Sequence, residues 1–358
     1  MGGGLERNIL YLANYMVKKG YDVHLITFDR EGAKAFYEID PLITWHRIGV
    51  SAPHSGVTFK QRLQLLKDMR SILKACGPNT PIICFHHGIL VRFILANLLL
   101  GNPVICSERN SLSIYKYVNL PKHNLNYFMM FLVRAITVQF PAYVQNYHPL
   151  LQKRITPIGN PVFPAEGQAN VITPNDKKRF SLLTVTRLCR QKNLEELIKA
   201  FAAIADQFPD WDLDIVGDGE WQERLETLIQ SLEMSDRIFL RGKQKNVSDF
   251  YQSSHLFCLP SQWEGFPNAL AEALSYGLPA VGYEETDGVN QLIMHGKNGL
   301  LAKDQGHIDT LSAALSELMR SPDKREKMSA QAVKSIAQYK PATVFEKWDR
   351  LIAGVLKR

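Results

Sequence analysis

The sequence has little that would build a disulfide frame, a mononucleotide loop or a membrane span. Its five cysteines, Cys76, Cys84, Cys106, Cys189 and Cys258, are scattered, odd in number and never spaced as CxxC. That excludes a zinc ribbon and favours reduced thiols in a cytosolic compartment; the sequon at Asn246 then reads as chance. There is no GxxxxGK[ST] loop and no GxGxxG. "VGDGE" offers only Gly217 and Gly219, which read as a strand-to-helix turn, so an ATP or nicotinamide site gains no support. No grouping of acids and histidines reads as a metal seat, so no metal or other cofactor is expected. The longest apolar runs, "ILVRFILANLLL" and "YFMMFLVRAITVQF", are broken by Arg92 and Arg134 and fall short of the ~18–20 residues that cross a bilayer. With no signal segment at its start, the sequence reads as cytoplasmic, at most peripheral on the cytoplasmic face of the inner membrane. Low-complexity tracts and solenoid repeats are also missing.

Acidic residues are scarce in one half only. The net charge is +7, yet residues 1–160 hold 18 Lys+Arg against 8 Asp+Glu, and within 41–160 only Asp68 and Glu108 are acidic. A basic body of this kind attracts phosphates, nucleic acid or an anionic lipid surface.

What is present is a regular alternation of strand and helix over 358 residues, too many for one ordinary core. "ERNILYLANYMVKKG" has helical spacing and closes at Gly20; "YDVHLITF", "PIICFHHG" and "PVICSERN" read as strands between helices. The second half repeats the pattern from "FSLLTVTRL" to "NGLLA". Such alternation predicts two doubly wound parallel-sheet, Rossmann-like domains with a ligand cleft at the carboxyl ends of their strands. The expected boundaries are 1–158 and 159–340, with the Pro/Gly/Asn-rich stretch around 155–180 as linker and 341–358 as a helix crossing back. One strand is apparently missing: the sequence opens "MGGGLER", already in the turn that should follow it, which predicts a less stable first domain.

Chemistry concentrates in the second half. Arg187 and Lys192 in "TRLCRQKNLEEL" stand between a strand and a helix, where a planar fork and a compact cation suit a diphosphate. In "SQWEGFPNALAEALSYGLPAV", Pro267 reads as first-turn proline and Gly277 as the helix stop. Glu264 then lies before that helix and Glu272 about a turn inside it. Two carboxylates so placed can each accept hydroxyl hydrogen bonds from one end of a sugar nucleotide, with its diphosphate on the helix terminus between them. Gly3 and Gly4 allow close backbone approach to a phosphate.

Taken together, "SLLTVTRLCRQKN", "EGFPNALAEALSYGLPAV", "HGKNGLLA", "GGGLERNILYLANYMVKKGYDVHLITFD" and "ICSERNS" resemble the GT-B glycosyltransferases of family 4. The resemblance implies a retaining, metal-independent transfer of a hexose or N-acetylhexosamine from a nucleotide sugar, a UDP-sugar by family frequency. It implies that Arg187 and Lys192 neutralise the diphosphate and that Glu264, with the amides of Gly265 and Phe266, holds the transferred sugar. Glu272 would take ribose hydroxyls, Asn268 and Leu270 would sit at the phosphates, and Gly242 and Lys243 would border the base. Gly3 and Gly4 match the glycine turn under the diphosphate. Arg109 stands where many relatives have histidine, and His87 lies near the same edge on the acceptor side. The acceptor implied is a glycan or a polyprenyl-diphosphate-linked one, with an anionic membrane surface nearby and no nucleic acid. A catalytically inactive sugar-nucleotide binder shares these features, and a basic nucleic-acid module would leave Glu264 and Glu272 without a role.

Overall fold

The computed structural model describes residues 3–49, 58–117, 123–176 and 178–357. Gly2 of the glycine turn and residues 118–122 of the basic segment "YKYVNLPKHNLNYFMMFLVR" lie outside them. The chain divides into Met1–Pro161 with Ala342–Arg358, and Val162–Pro341.

The first unit opens with α1, Gly4–Lys18, whose buried stripe runs through Leu12 and Met16. Gly20, at φ +86°, ends it, because the amide of Tyr21 can then reach back to the carbonyl of Met16. Strands β1, His24–Thr27, and β2, Thr44–Arg47, form a parallel pair. Then follow α2, Phe59–Ala75, β3, Ile82–Phe85, α3, Leu90–Ala96, and β4, Val104–Ser107. The chain continues through α4, Leu125–Met129, β5, Ala135–Val138, α5, Pro149–Gln152, and β6, Ile155–Pro157. Strands β3 to β6 make a parallel sheet in sequence order. The C-terminal helix Pro341–Leu356 packs Val344, Trp348 and Ile352 against α1 and the sheet residues Ile105 and Ala135. Tyr15 of α1 locks that contact by donating to Asp349 at 2.5 Å and stacking on Phe345.

The second unit runs β7, Phe180–Val185, α6, Leu194–Ala202, β8, Trp211–Val216, α7, Gln222–Ser231, β9, Ile238–Gly242, and α8, Ser248–Ser253. It continues with β10, Leu256–Leu259, α9, Asn268–Ser275, β11, Ala280–Tyr283, α10, Val289–Leu292, β12, Gly299–Ala302, α11, Ile308–Arg320, and α12, Pro322–Ile336. Its sheet has the order β12-β11-β10-β7-β8-β9, parallel throughout. The central strands are buried on every residue of β10 and β11, as a sheet covered on both faces requires.

One strand carries no sequence signal and one expectation is corrected. Ala135–Val138, within the apolar run "YFMMFLVRAITVQF", is β5; a strand buried at every position shows no alternation to detect. The stretch around 155–180 is not a free linker. It begins with β6, and residues 162–176 run along the second unit: Ala169 donates to the carbonyl of Tyr276, and His255 meets the carbonyl of Thr173. Its Pro, Gly and Asn content suits an extended strap as well as a linker.

Arg325 fastens that strap. The side chain is buried, Nε donates to Val171 at 2.7 Å, and Nη1 donates to the carbonyls of Leu318 and Met319 that end α11. Its guanidinium lies over Trp211, 5.1 Å from the ring centroid, and Phe180. Burial lowers its pKa to about 10, so it stays charged at neutral pH. Arg325→Met should remove its hydrogen bonds to the carbonyls of Val171, Leu318 and Met319 and lower the unfolding free energy of the protein by roughly 3 kcal/mol or more. Denaturant unfolding of the full chain tests this, and a loss below about 0.5 kcal/mol would show the strap to be held by other contacts.

Candidate active site

In the second unit the chain runs from β7 outward through β8 to β9, then returns to place β10 on the other side of β7. The loops that leave the carboxyl ends of β7 and β10 therefore diverge from neighbouring strands, the place where open α/β sheets hold ligands. Lys192 belongs to the first loop and Glu264 to the second. Lys192 Nζ donates to Glu264 Oε1 at 2.5 Å, with side-chain exposures of 16% and 8%. Gln191 joins the same two loops beside the pair: its Nε2 donates to the carbonyl of Trp263 at 2.7 Å, and its own carbonyl accepts from the amide of Gln262 at 2.9 Å. An ammonium group has three donor hydrogens, so Lys192 can hold Glu264 and still meet an anion.

Arg187 lies earlier in the first loop, exposed, and no acid pairs with it among the described residues. Its backbone is nonetheless fixed. Thr186 donates to Val216 and Leu188 to Asp218, both at 2.9 Å. Gly217 and Gly219 permit this approach, since a Cβ on them would stand 1.8 Å from the carbonyl oxygen of Thr186 and 2.2 Å from that of Leu188. The glycines that read as a plain turn are thus what seats the loop carrying Arg187.

Pro267 caps α9 from outside, so the helix starts at Asn268, one residue later than expected; Gly277, at φ +83°, ends it. Glu264, Gly265 and Phe266 are buried in the preceding loop, and the Phe266 ring packs edge-on to Tyr339. Asn268 is half-buried at the helix start, whereas the side chain of Leu270 is wholly in the core, which leaves only its backbone for a ligand. Glu272 is half-buried and accepts from Tyr251 Oη at 3.2 Å. Gly242 ends β9 in the left-handed region, φ +64°, with exposed Lys243 next to it, on the same sheet edge but beyond β8. Within this unit the structure joins Lys192 directly to Glu264. It puts Arg187 on Lys192's loop and Glu272 on the helix after Glu264.

The remaining candidates belong to the first unit. Gly3 is the N-cap of α1 and Gly4 its first residue. His87 follows β3 and is buried; its amide donates to Glu108 Oε1 at 2.6 Å, while Nδ1 lies 2.7 Å from Oε2 and Nε2 2.5 Å from Tyr115 Oη. Burial opposes the charge on both groups, but their mutual attraction wins, holding Glu108 below the usual carboxylate range and raising His87. Arg109 donates to Asn160 at 2.8 Å and lies 5.0 Å from the Phe85 ring centroid. Burial pulls its pKa down to about 10.

Tyr251, Gln191, Tyr115 and Asn160 have no sequence signal, because each acts across a distance that spacing does not encode. Two acid groupings were also passed over. His86, His87 and Glu108 bring ligand atoms within 4.8 Å of one another, though Glu108 already gives both oxygens to His87. Asp212 and Asp214 have D-x-D spacing on β8, where Arg179 and Arg237 hold the first and Arg241 and Ser181 the second.

Two family models match this chain. The one described as Glycosyltransferase Family 4 covers residues 2–160, and the one described as Glycosyl transferases group 1 covers 168–335. The chain belongs to the family 4 glycosyltransferases. An uncharacterized glycosyltransferase of Haemophilus influenzae is 28% identical over 98% of this chain and 96% of its own length. The amylovoran biosynthesis glycosyltransferase AmsD of Erwinia amylovora is 24% identical over 98% of this chain and 96% of its own. Among solved structures, Anabaena HepE in complex with UDP and glucose shares the fold at TM-score 0.74 and 16% identity, over 98% of this chain and 96% of that one. This glycosyltransferase accordingly has the GT-B fold.

Two stability measurements follow. Lys192→Met strands a buried carboxylate and should lower the unfolding free energy by roughly 2–4 kcal/mol, whereas Arg187→Met should change it by less than about 0.5 kcal/mol. Equal effects in chemical denaturation would contradict the geometry. For the other pair, a raised His87 contributes stability that is lost as pH rises past 6.5, and a lowered Glu108 contributes stability that is lost as pH falls below 4.5. The stability gap between the native chain and the double variant His87→Gln/Glu108→Gln should therefore peak between those values and narrow on both sides. A gap independent of pH would show that the pair is not ionised.

Proposed function

We propose that this glycosyltransferase moves a hexose or N-acetylhexosamine from a UDP-sugar to a lipid-linked or polysaccharide acceptor, with retention of anomeric configuration and without a metal. The observation that carries the reading is the Lys192–Glu264 pair where the sheet's connections diverge, with Arg187, which pairs with no acid among the described residues, on the same loop. In this reading Arg187 and Lys192 bind the diphosphate and stabilise the charge that develops as the glycosidic bond breaks, an electrostatic effect that needs no nucleophile. Glu264 and the amides of Gly265 and Phe266 hold sugar hydroxyls, and Glu272, steadied by Tyr251, takes the ribose. The acceptor hydroxyl attacks from the leaving-group side, and the departing phosphate oxygen takes its proton. Glu264 orients and stabilises; it forms no covalent bond to the sugar.

UDP and glucose in the HepE structure support the donor class, and the part of AmsD in amylovoran biosynthesis supports a polysaccharide acceptor. No helix of the described residues is long and apolar enough to cross a membrane. The basic first unit suits work at the cytoplasmic face of an anionic membrane.

A thermal-shift panel of UDP- and GDP-sugars identifies the donor, with a UDP-sugar expected to stabilise the protein most. With that donor, Glu264→Gln should lower kcat by about 10²–10³-fold, while Glu272→Gln should chiefly raise KM, by roughly tenfold. EDTA should leave the rate unchanged. Full turnover in Glu264→Gln would refute the assignment of that side chain.

A further inference from the structure

A second basic feature of the first unit includes none of the residues placed in the reaction. A cavity of about 410 Å³ is walled by Arg134, Lys153 and Arg154 on one side and by Lys347, Arg350 and Gly354 of the C-terminal helix on the other. The first three immediately precede β5 and β6. Because β3 to β6 are parallel, these amino ends form the sheet edge opposite the one that carries His87 and Arg109. Leu351 and Val355 add apolar surface to the lining.

The protein does little to neutralise this charge. Arg350 meets Glu346 at 2.5 Å, and Arg154 donates one nitrogen to the carbonyls of Phe131 and Val133. Among the described residues no acid pairs with Arg134, Lys153 or Lys347, all of them exposed. Like charges around one hollow repel, and an anion within it would relieve that repulsion. Gly354 points the same way. Glycine is among the poorest residues inside a helix, and a Cβ built there meets nothing within 4 Å. Neither backbone conformation nor packing calls for glycine at this position; its effect is to leave the wall open.

We propose that this hollow binds a phosphate ester, the cations meeting the phosphate oxygens and the apolar lining meeting the group attached to it. That chemistry is shared by an acidic phospholipid headgroup and by a soluble phosphate ester. The hollow shares no residue with the proposed donor site, and its existence does not depend on which sugar is transferred.

The test uses the full chain with two probes: flotation with phosphatidylcholine vesicles containing one-third phosphatidylglycerol, and calorimetric titration with glycerol 3-phosphate. Lys153→Glu/Lys347→Glu removes the field, and Gly354→Trp fills the space without changing charge while giving the helix a better former. Each variant should weaken binding about twentyfold or more, with the thermal shift from the UDP-sugar unchanged. Loss of vesicle binding alone identifies a lipid source; loss of binding to both probes identifies a free phosphate ester as sufficient. If neither probe binds the native chain, or if Gly354→Trp binds as the native chain does, the proposal is overturned; the latter result would reduce the effect to a diffuse surface field. Should the charge reversals prevent folding, as circular dichroism would reveal, Gly354→Trp decides alone.

Discussion

The candidate donor site depends on one adjacency: β7 and β10, far apart in sequence, are neighbours in the sheet, and the chain leaves them in different directions. Everything chemical in the second unit is arranged around the gap this opens. Gln191, next to Lys192, ties the two departing loops together through Gln262 and Trp263, and the ion pair closes the seam. Two largely buried charges are expensive to desolvate, so their meeting is stabilising only while both remain. The pair thus couples the fold to the chemistry: the contact that holds the loops together also presents a cation beside a carboxylate.

The neighbouring loop is placed by backbone alone. Gly217 and Gly219 let the turn after β8 press against Thr186 and Leu188, so Arg187 projects from a fixed base although its side chain meets no acid among the described residues. Lys192 and Arg187 therefore differ in kind. One is already neutralised by the protein, and the other keeps its full charge for an incoming anion. A diphosphate would meet Arg187 as an open fork and Lys192 as a shared donor.

How much of this was legible follows the range of each interaction. Arg187, Lys192, Glu264 and Glu272 could be picked out because strand ends and helix starts carry local signals, and the residues between them set which loop each occupies. The α/β alternation was legible for the same reason, as were the closures at Gly20 and Gly277. What failed to show was tertiary. β5 has no alternation because both its faces are covered, and the strap at 162–176 has a linker's composition because Arg325, far along the chain, supplies its anchor. Tyr251 beneath Glu272 and Tyr115 beside His87 are ordinary aromatics until the fold brings them to their partners.

The charge imbalance of the first unit gains meaning from where its few acids go. Between residues 41 and 160 only Asp68 and Glu108 are acidic. Glu108 is buried and spends both oxygens on His87, so it cannot screen any surface cation. Asp68 accepts from Gln64 within α2 and pairs with no cation among the described residues. The field of this unit is consequently left to act outward, and it does so where Arg134, Lys153 and Lys347 surround a hollow instead of lying on an even surface. A low-dielectric wall behind clustered charges focuses their potential. Composition alone establishes that the half is basic; the fold adds the gathering of Arg134, Lys153 and Lys347 around one hollow.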